Sequence, residues 1–243
     1  VIGGSAGGIS ALSVIFDSLP RDLPAAIVVI LHQTKDSVYK LAGALARTSH
    51  YPIVVVEKDE PLRQGTIYLP SPGMSLSFQQ GRIVEAESDR PHQTLTTISR
   101  MFAAAAREYH DRVIGVVLSG LLRDGTDGLR AIHEAGGLTV VQDPAEAEYA
   151  EMPSNASRNL PVTFSLPIVD LGPALELLCR RTTALETGVA VSVRLLKSRV
   201  ELLVRLKSQS GKNPDVGRFL DEELVLLRRD LRSINRLLDD VEA

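Results

Sequence analysis

The sequence predicts an α/β fold: a doubly wound, mostly parallel sheet with a small antiparallel β insert, followed by an α-helical, coiled-coil-like extension. Three observations lead there. Short β-branched runs alternate with helical periodicity along the first part of the chain, which implies right-handed crossovers and parallel strands. Twelve of the 13 prolines, fifteen of the 18 glycines and nine of the ten aromatic residues fall before residue 184. Beyond that point the apolar residues recur in steps of three and four. The expected division is therefore an α/β domain over 1–184 and a helical hairpin or coiled coil over 185–243.

The elements follow in order. Val1-Ile2 reads as a strand already in progress, so residues upstream are expected. It runs through Gly3-Gly4-Ser5-Ala6-Gly7-Gly8 into a helix in which Ile9, Leu12, Phe16 and Leu19 share a face until Pro20. Ala26 to Leu31 is a β-branched strand, Val38 to Leu45 a helical pattern and Ile53 to Val56 another strand. Between Gly65 and Glu85 the pattern changes to short strands, Ile67 to Leu69, Leu76 to Phe78 and Ile83 to Val84. The turns Pro70-Ser71-Pro72-Gly73 and Gln80-Gly81 separate them, and all three strands are expected in the antiparallel insert. A helix over Leu95 to Arg107, a buried strand over Val113 to Leu118, a helix near Thr126 to Glu134 and a strand over Leu138 to Val141 complete the pattern.

Composition narrows the function classes. The 243 residues carry 27 Lys and Arg against 30 Asp and Glu, and neither part has the basic excess of a nucleic-acid binder. The single cysteine, Cys179, excludes an internal disulfide, and no Cys/His cluster has zinc spacing, which fits a reducing cytosol. The longest apolar run, Ala25 to Leu31, is far too short to span a membrane. No metal, cofactor, nucleic acid or membrane insertion is expected.

Gly3-Gly4-Ser5-Ala6-Gly7 matches G-x-S-x-G, a strained strand-to-helix turn that exposes a serine hydroxyl. A glycine-rich phosphate loop is the alternative, but the dinucleotide fingerprint needs glycine where Ser5 stands and an acidic residue where His32 ends the second strand. His32 follows Leu31 directly and so shares the carboxyl edge of the sheet with Ser5. Leu118-Ser119-Gly120-Leu121-Leu122-Arg123-Asp124-Gly125 lies at the end of a third buried strand. Asp124 is preferred over Asp127, which stands where the next helix begins and suits its positive end. A serine needs a histidine to remove its proton, and the imidazolium needs a carboxylate to orient it. The order Ser, His, Asp differs from that of α/β-hydrolases.

With these residues in hand, residues 1–180 resemble the catalytic domain of CheB-type chemotaxis receptor protein-glutamate methylesterases. The resemblance rests on Ile2 to Gly8, His32, Leu118 to Gly125, and Val141-Gln142-Asp143 leading to Met152-Pro153. It implies hydrolysis of glutamate methyl esters on chemoreceptor helices, with glutamine deamidation as a companion reaction, in the cytoplasm. Ser5 would be nucleophile, His32 general base and Asp124 the orienting carboxylate. The amides of Ala6 and Leu121 would hold the oxyanion, and His92 and Met152 would line the substrate. Two departures stand out. Leu121-Leu122 replaces methionine and glycine, and a leucine in glycine's place is not expected to take a positive φ readily. His92-Gln93-Thr94 replaces a basic segment. A catalytically impaired interaction module in a signalling assembly is the competing reading, and a nucleotide-binding domain is disfavoured by Ser5 and His32.

In the tail, Leu220, Leu224, Leu227, Leu231, Ile234, Leu238 and Val241 form a heptad seam, and Val189, Val193, Leu196, Val200 and Leu203 form another. Ser208 to Pro214 is the turn between them. Arms of ~30 and ~40 Å leave the second helix overhanging unless a partner or the globular domain covers it, so the tail is expected to mediate self-association or to connect to a further signalling module. Light scattering should show an oligomer that becomes a monomer when residues 185–243 are removed; a monomer in both forms contradicts self-association.

Overall fold

The computed structural model describes residues 1–32, 37–72, 74–86, 97–180, 192–193, 195–197, 199–200, 203–204 and 221–232. The chain divides into two compact units, Val1–Cys179 and Arg180–Ala243. No helix among the described residues is long and apolar enough to cross a membrane.

The first unit is built on a seven-stranded parallel sheet. Its strands are β1 (Ile2–Gly4), β2 (Ala26–Leu31), β3 (Ile53–Val56), β5 (Thr66–Pro70), β8 (Ile114–Val117), β9 (Leu138–Gln142) and β10 (Phe164–Leu166), in the order β10-β9-β8-β1-β2-β5-β3. Helices α1 (Gly8–Ser18), α2 (Ser37–Thr48) and α6 (Ile168–Cys179) form one packed group, and α3 (Thr97–Tyr109), α4 (Thr126–Glu134) and α5 (Glu151–Asn159) form another. Both faces of the central strands are covered, which is why Ile27 to Ile30 and Val116 to Leu118 are continuous apolar runs with almost no exposure.

The insert is a three-stranded antiparallel sheet of β4 (Glu60–Pro61), β7 (Arg82–Glu85) and β6 (Leu76–Gln79). It differs from expectation in one strand. Ile67 to Leu69 belongs to β5, which pairs in parallel with both β2 and β3 in the main sheet. The reason lies in burial: Thr66, Ile67, Tyr68 and Leu69 are all buried, as a strand covered on both faces requires, whereas the insert strand β6 alternates buried and less buried positions. The two-residue strand at Glu60–Pro61 takes the vacated place.

The strand order reverses about β1, with β2 on one side and β8 on the other. The carboxyl edge at such a reversal is where open α/β sheets form clefts. Helix α3 crosses beneath this point, burying Ile98, Met101 and Phe102 completely, each such side chain contributing about 1.5–3 kcal/mol. It can lie so close because two neighbours lack side chains. A Cβ on Gly3 would collide with Ile98, and one on Gly128 would stand 2.6 Å from Phe102 Cβ and 2.7 Å from Ser99 Cα. Those glycines fix where the N-terminus of α3 sits.

In the second unit, helical residues between 192 and 204 and over 221–232 bury Leu203, Leu224 and Leu227, with Leu196 and Val200 packed against them. These five belong to the two expected seams. The turn over 208–214 and the seam positions Val189, Leu220, Ile234, Leu238 and Val241 lie outside the described residues.

Candidate active site

Three adjacent strand ends converge. Ser5 follows β1, His32 follows β2, and the segment Leu118 to Asp124 follows β8. In register, Gly4 stands beside Leu31, and His32 N–H donates to Gly4 O at 3.1 Å. Ser5 N–H donates to Ser119 O at 3.0 Å on the other side. Gly7, at φ +75°, then caps α1. The serine is thereby held half-buried in a tight turn between its two neighbours.

Asp124 is the most constrained group in the site. Its residue is 5% exposed, and its two oxygens accept four hydrogen bonds from three segments. Oδ2 receives His32 Nε2 at 2.7 Å and Ile98 N–H at 3.1 Å. Oδ1 receives Ser99 N–H at 3.1 Å and Gly125 N–H at 2.7 Å, and Ser99 Oγ accepts Gly125 N–H at 2.9 Å. The amides of Ile98 and Ser99 are the otherwise unpaired donors of the first turn of α3, so Asp124 caps that helix from 26 residues away. Burial alone would push the carboxyl up, but the hydrogen bonds from His32, Ile98 and Ser99 outweigh it and hold Asp124 below its ordinary value of 3.8.

An ionised carboxylate only accepts hydrogen bonds, so the His32 proton must lie on Nε2. Nδ1 is left with its lone pair, and His32 makes no second ring hydrogen bond among the described residues. In the serine-protease triad the two ring nitrogens hold the opposite posts. Ser5 Oγ likewise has no hydrogen bond among the described residues, a state in which proton-transfer contacts of unliganded sites are often found.

The segment after β8 completes the wall. Gly120 approaches Ser5 so closely that a Cβ there would stand 2.9 Å from Ser5 Cβ and would collide with the Met152 sulfur. Ala6 N–H and Leu121 N–H have no hydrogen-bond partner among the described residues, so both amides are available to an anion at this edge. Leu122 adopts φ +67°, contrary to the expectation that leucine resists it. The side chain is 59% exposed and avoids collision, although the left-handed conformation still costs roughly 1–2 kcal/mol.

The remaining sequence candidates separate. Met152 is fully buried, with its sulfur beneath Gly120, so in this structure it backs the wall from the core instead of presenting a face to substrate. His92 lies outside the described residues. Asp127 sits in the first turn of α4 and pairs with Arg130 at 2.7 Å, away from His32. No group of three or more His, Cys, Asp and Glu side chains suited to a metal ion occurs among the described residues.

Ser119 is a supporting residue that sequence reasoning quoted without giving it a task. Its carbonyl takes the Ser5 amide, its hydroxyl donates to Ala6 O at 2.9 Å and accepts Tyr149 N–H at 2.9 Å, and its own N–H donates to Gln142 Oε1 at 2.9 Å. It brackets the Ser5-Ala6 peptide on both sides. The Leu118-Ser119-Gly120 motif was the available signal.

A doubly wound α/β domain with a serine turn, a carboxylate-bound histidine and two open amides at one strand edge has the layout of a hydrolase. Comparison with known proteins sharpens that class: residues 1–175 match the family described as CheB methylesterase, and the chain belongs to that family. Over 181 residues it is 35% identical to protein-glutamate methylesterase/protein-glutamine glutaminase 2 of Anaeromyxobacter dehalogenans, covering 74% of this chain and 53% of that one. It is 34% identical over 169 residues to a putative protein-glutamate methylesterase/protein-glutamine glutaminase of Leptospira interrogans, covering 69% and 88%. The crystal structure of the Thermotoga maritima CheB methylesterase catalytic domain superposes with a TM-score of 0.68 at 27% identity, covering 73% of this chain and 96% of that one. The chain thus spans about half the length of the Anaeromyxobacter relative.

Because folded Asp124 ionises below its unfolded value, its contribution to stability is complete above pH 3.8 and is lost as pH falls through the lower folded value. Asp124→Asn should therefore be less stable than the native chain near neutral pH, by roughly 1–3 kcal/mol. The gap between their urea midpoints should close on acidification below 3.8. A gap that does not change with pH contradicts the assignment.

Proposed function

We propose that this chain is a serine esterase that hydrolyses glutamate methyl esters on chemoreceptor helices in the cytoplasm, with Ser5, His32 and Asp124 as its triad. The observation that carries the reading is the His32–Asp124 hydrogen bond of 2.7 Å, formed next to a G-x-S-x-G turn in a CheB-family chain.

In this reading His32 Nδ1 takes the Ser5 proton as Oγ attacks the γ-carbonyl of the methylated glutamate. The carbonyl π electrons move to oxygen, and the oxyanion is received by the amides of Ala6 and Leu121. His32, now protonated on both nitrogens, is stabilised through Nε2–H by Asp124. It returns the proton from Nδ1 to the methoxy oxygen as the C–O bond breaks, and methanol leaves. Water then adds to the acyl-serine with His32 again as base, releasing glutamate and restoring Ser5. Glutamine follows the same path with ammonia as leaving group, which agrees with the second activity in the relatives' names. Self-association through the tail belongs to the same reading; Val225 and Leu226, at 64% and 45% exposure beside the buried Leu224 and Leu227, supply apolar surface for it.

Methanol release from a helical peptide carrying a glutamate γ-methyl ester should fall at least about a thousandfold in Ser5→Ala. A serine-reactive fluorophosphonate should label the native chain and not the variant. Folded protein that shows no Ser5-dependent labelling would contradict the esterase and favour the interaction module.

A further inference from the structure

The turn after β8 contains an unfavourable backbone conformation that nothing in its own side chains repays. Leu121 and Leu122 are 45% and 59% exposed, so burial of apolar surface does not hold them. Leu122 is nevertheless left-handed at φ +67°, a region glycine enters freely and leucine does not.

What holds it comes from α5. Leu122 N–H donates to Glu151 Oε2 at 2.8 Å, and Asn155 Nδ2 donates to Leu122 O at 2.8 Å. Glu151 and Asn155 are four residues apart and so share one face of the helix. The helix start is itself tied to the same turn: Gly120 N–H donates to Tyr149 O at 2.9 Å, and Met152 N–H donates to Gly120 O at 3.0 Å. Four hydrogen bonds thus stitch residues 120–122 to residues 149–155, and one of them is charge-assisted.

This arrangement selects one amide. Glu151 consumes the N–H of Leu122, while the N–H of Leu121, one residue nearer Ser5, remains open. We propose that Glu151 and Asn155 are positioning residues that clamp Leu122 in the left-handed conformation and thereby aim the Leu121 amide as an oxyanion donor. The clamp does for leucine what a glycine at this position would do unaided. The catalytic part of the proposal rests on the esterase reading above; the clamp itself is a backbone property and can be read without turnover.

The test combines amide hydrogen exchange with kinetics on the γ-methyl ester peptide, with thermal melts to verify folding. In the native chain the Leu122 amide should be protected and the Leu121 amide should exchange quickly. Glu151→Ala should abolish the Leu122 protection and lower kcat about tenfold with KM unchanged. Glu151→Gln, which keeps an acceptor oxygen, should stay within about twofold of native kcat. Adding Leu122→Gly to Glu151→Ala should bring kcat to within about threefold of Leu122→Gly alone, because glycine needs no clamp. Unchanged Leu122 exchange in Glu151→Ala overturns the clamp. A clamp seen by exchange, with kcat unaffected or not rescued by glycine, overturns its role in aiming the donor. Absence of any Ser5-dependent turnover in the native chain removes the esterase reading and that role together, while exchange still decides the clamp.

Discussion

The site depends on one carboxylate that serves two masters. Asp124 satisfies the unpaired amides at the start of α3 and at the same time receives the His32 imidazole. Neither task is separable from the fold. Gly3 and Gly128 allow α3 to lie close enough for Ile98 and Ser99 to reach Asp124, and parallel pairing of β1 with both β2 and β8 sets the three strand ends side by side. A buried carboxyl without those donors would be driven toward its neutral form. With them it stays ionised and fixes the tautomer of His32.

Around that centre, support comes in concentric backbone contacts. Ser119 grips the chain around Ser5, accepting the Ser5 N–H on its carbonyl and donating its hydroxyl to the Ala6 carbonyl. Gly120 brings the following turn against the serine, and Met152 closes the space below it from the core. The edge so formed carries two open amides, a serine hydroxyl and one imidazole nitrogen. The two amides need no rearrangement to meet a developing negative charge.

Much of this could be read from the residues. β2 and β8 are covered on both faces, so their apolar runs stand out and point to His32 and Asp124 after them, while Ser5 is marked by the glycines that bracket its turn. Partners distant in the chain left no local trace. The amides of Ile98 and Ser99 act through backbone, which has no residue signature, and Glu151 and Asn155 meet Leu122 only because α5 folds back on the turn. β5 was expected in the insert because Gly65 and Pro70 bound it like a hairpin strand, and only its burial on both faces reveals its place in the main sheet. Pro173 lies inside α6 and breaks the usual helix signal, and Pro153 stands in the first turn of α5. The positive φ of Leu122 ran against residue preference outright, and the compensation sits 29 and 33 residues away.

In the proposed mechanism, ionised Asp124 holds the His32 proton on Nε2 and leaves Nδ1 as the base for Ser5. Nitrogen-15 NMR of histidine-labelled protein, at a pH where His32 is neutral, reads this directly. The expected result is the Nε2–H tautomer for His32 in the native chain and its loss in Asp124→Ala. A native His32 carrying its proton on Nδ1, or a tautomer unchanged by Asp124→Ala, would contradict it.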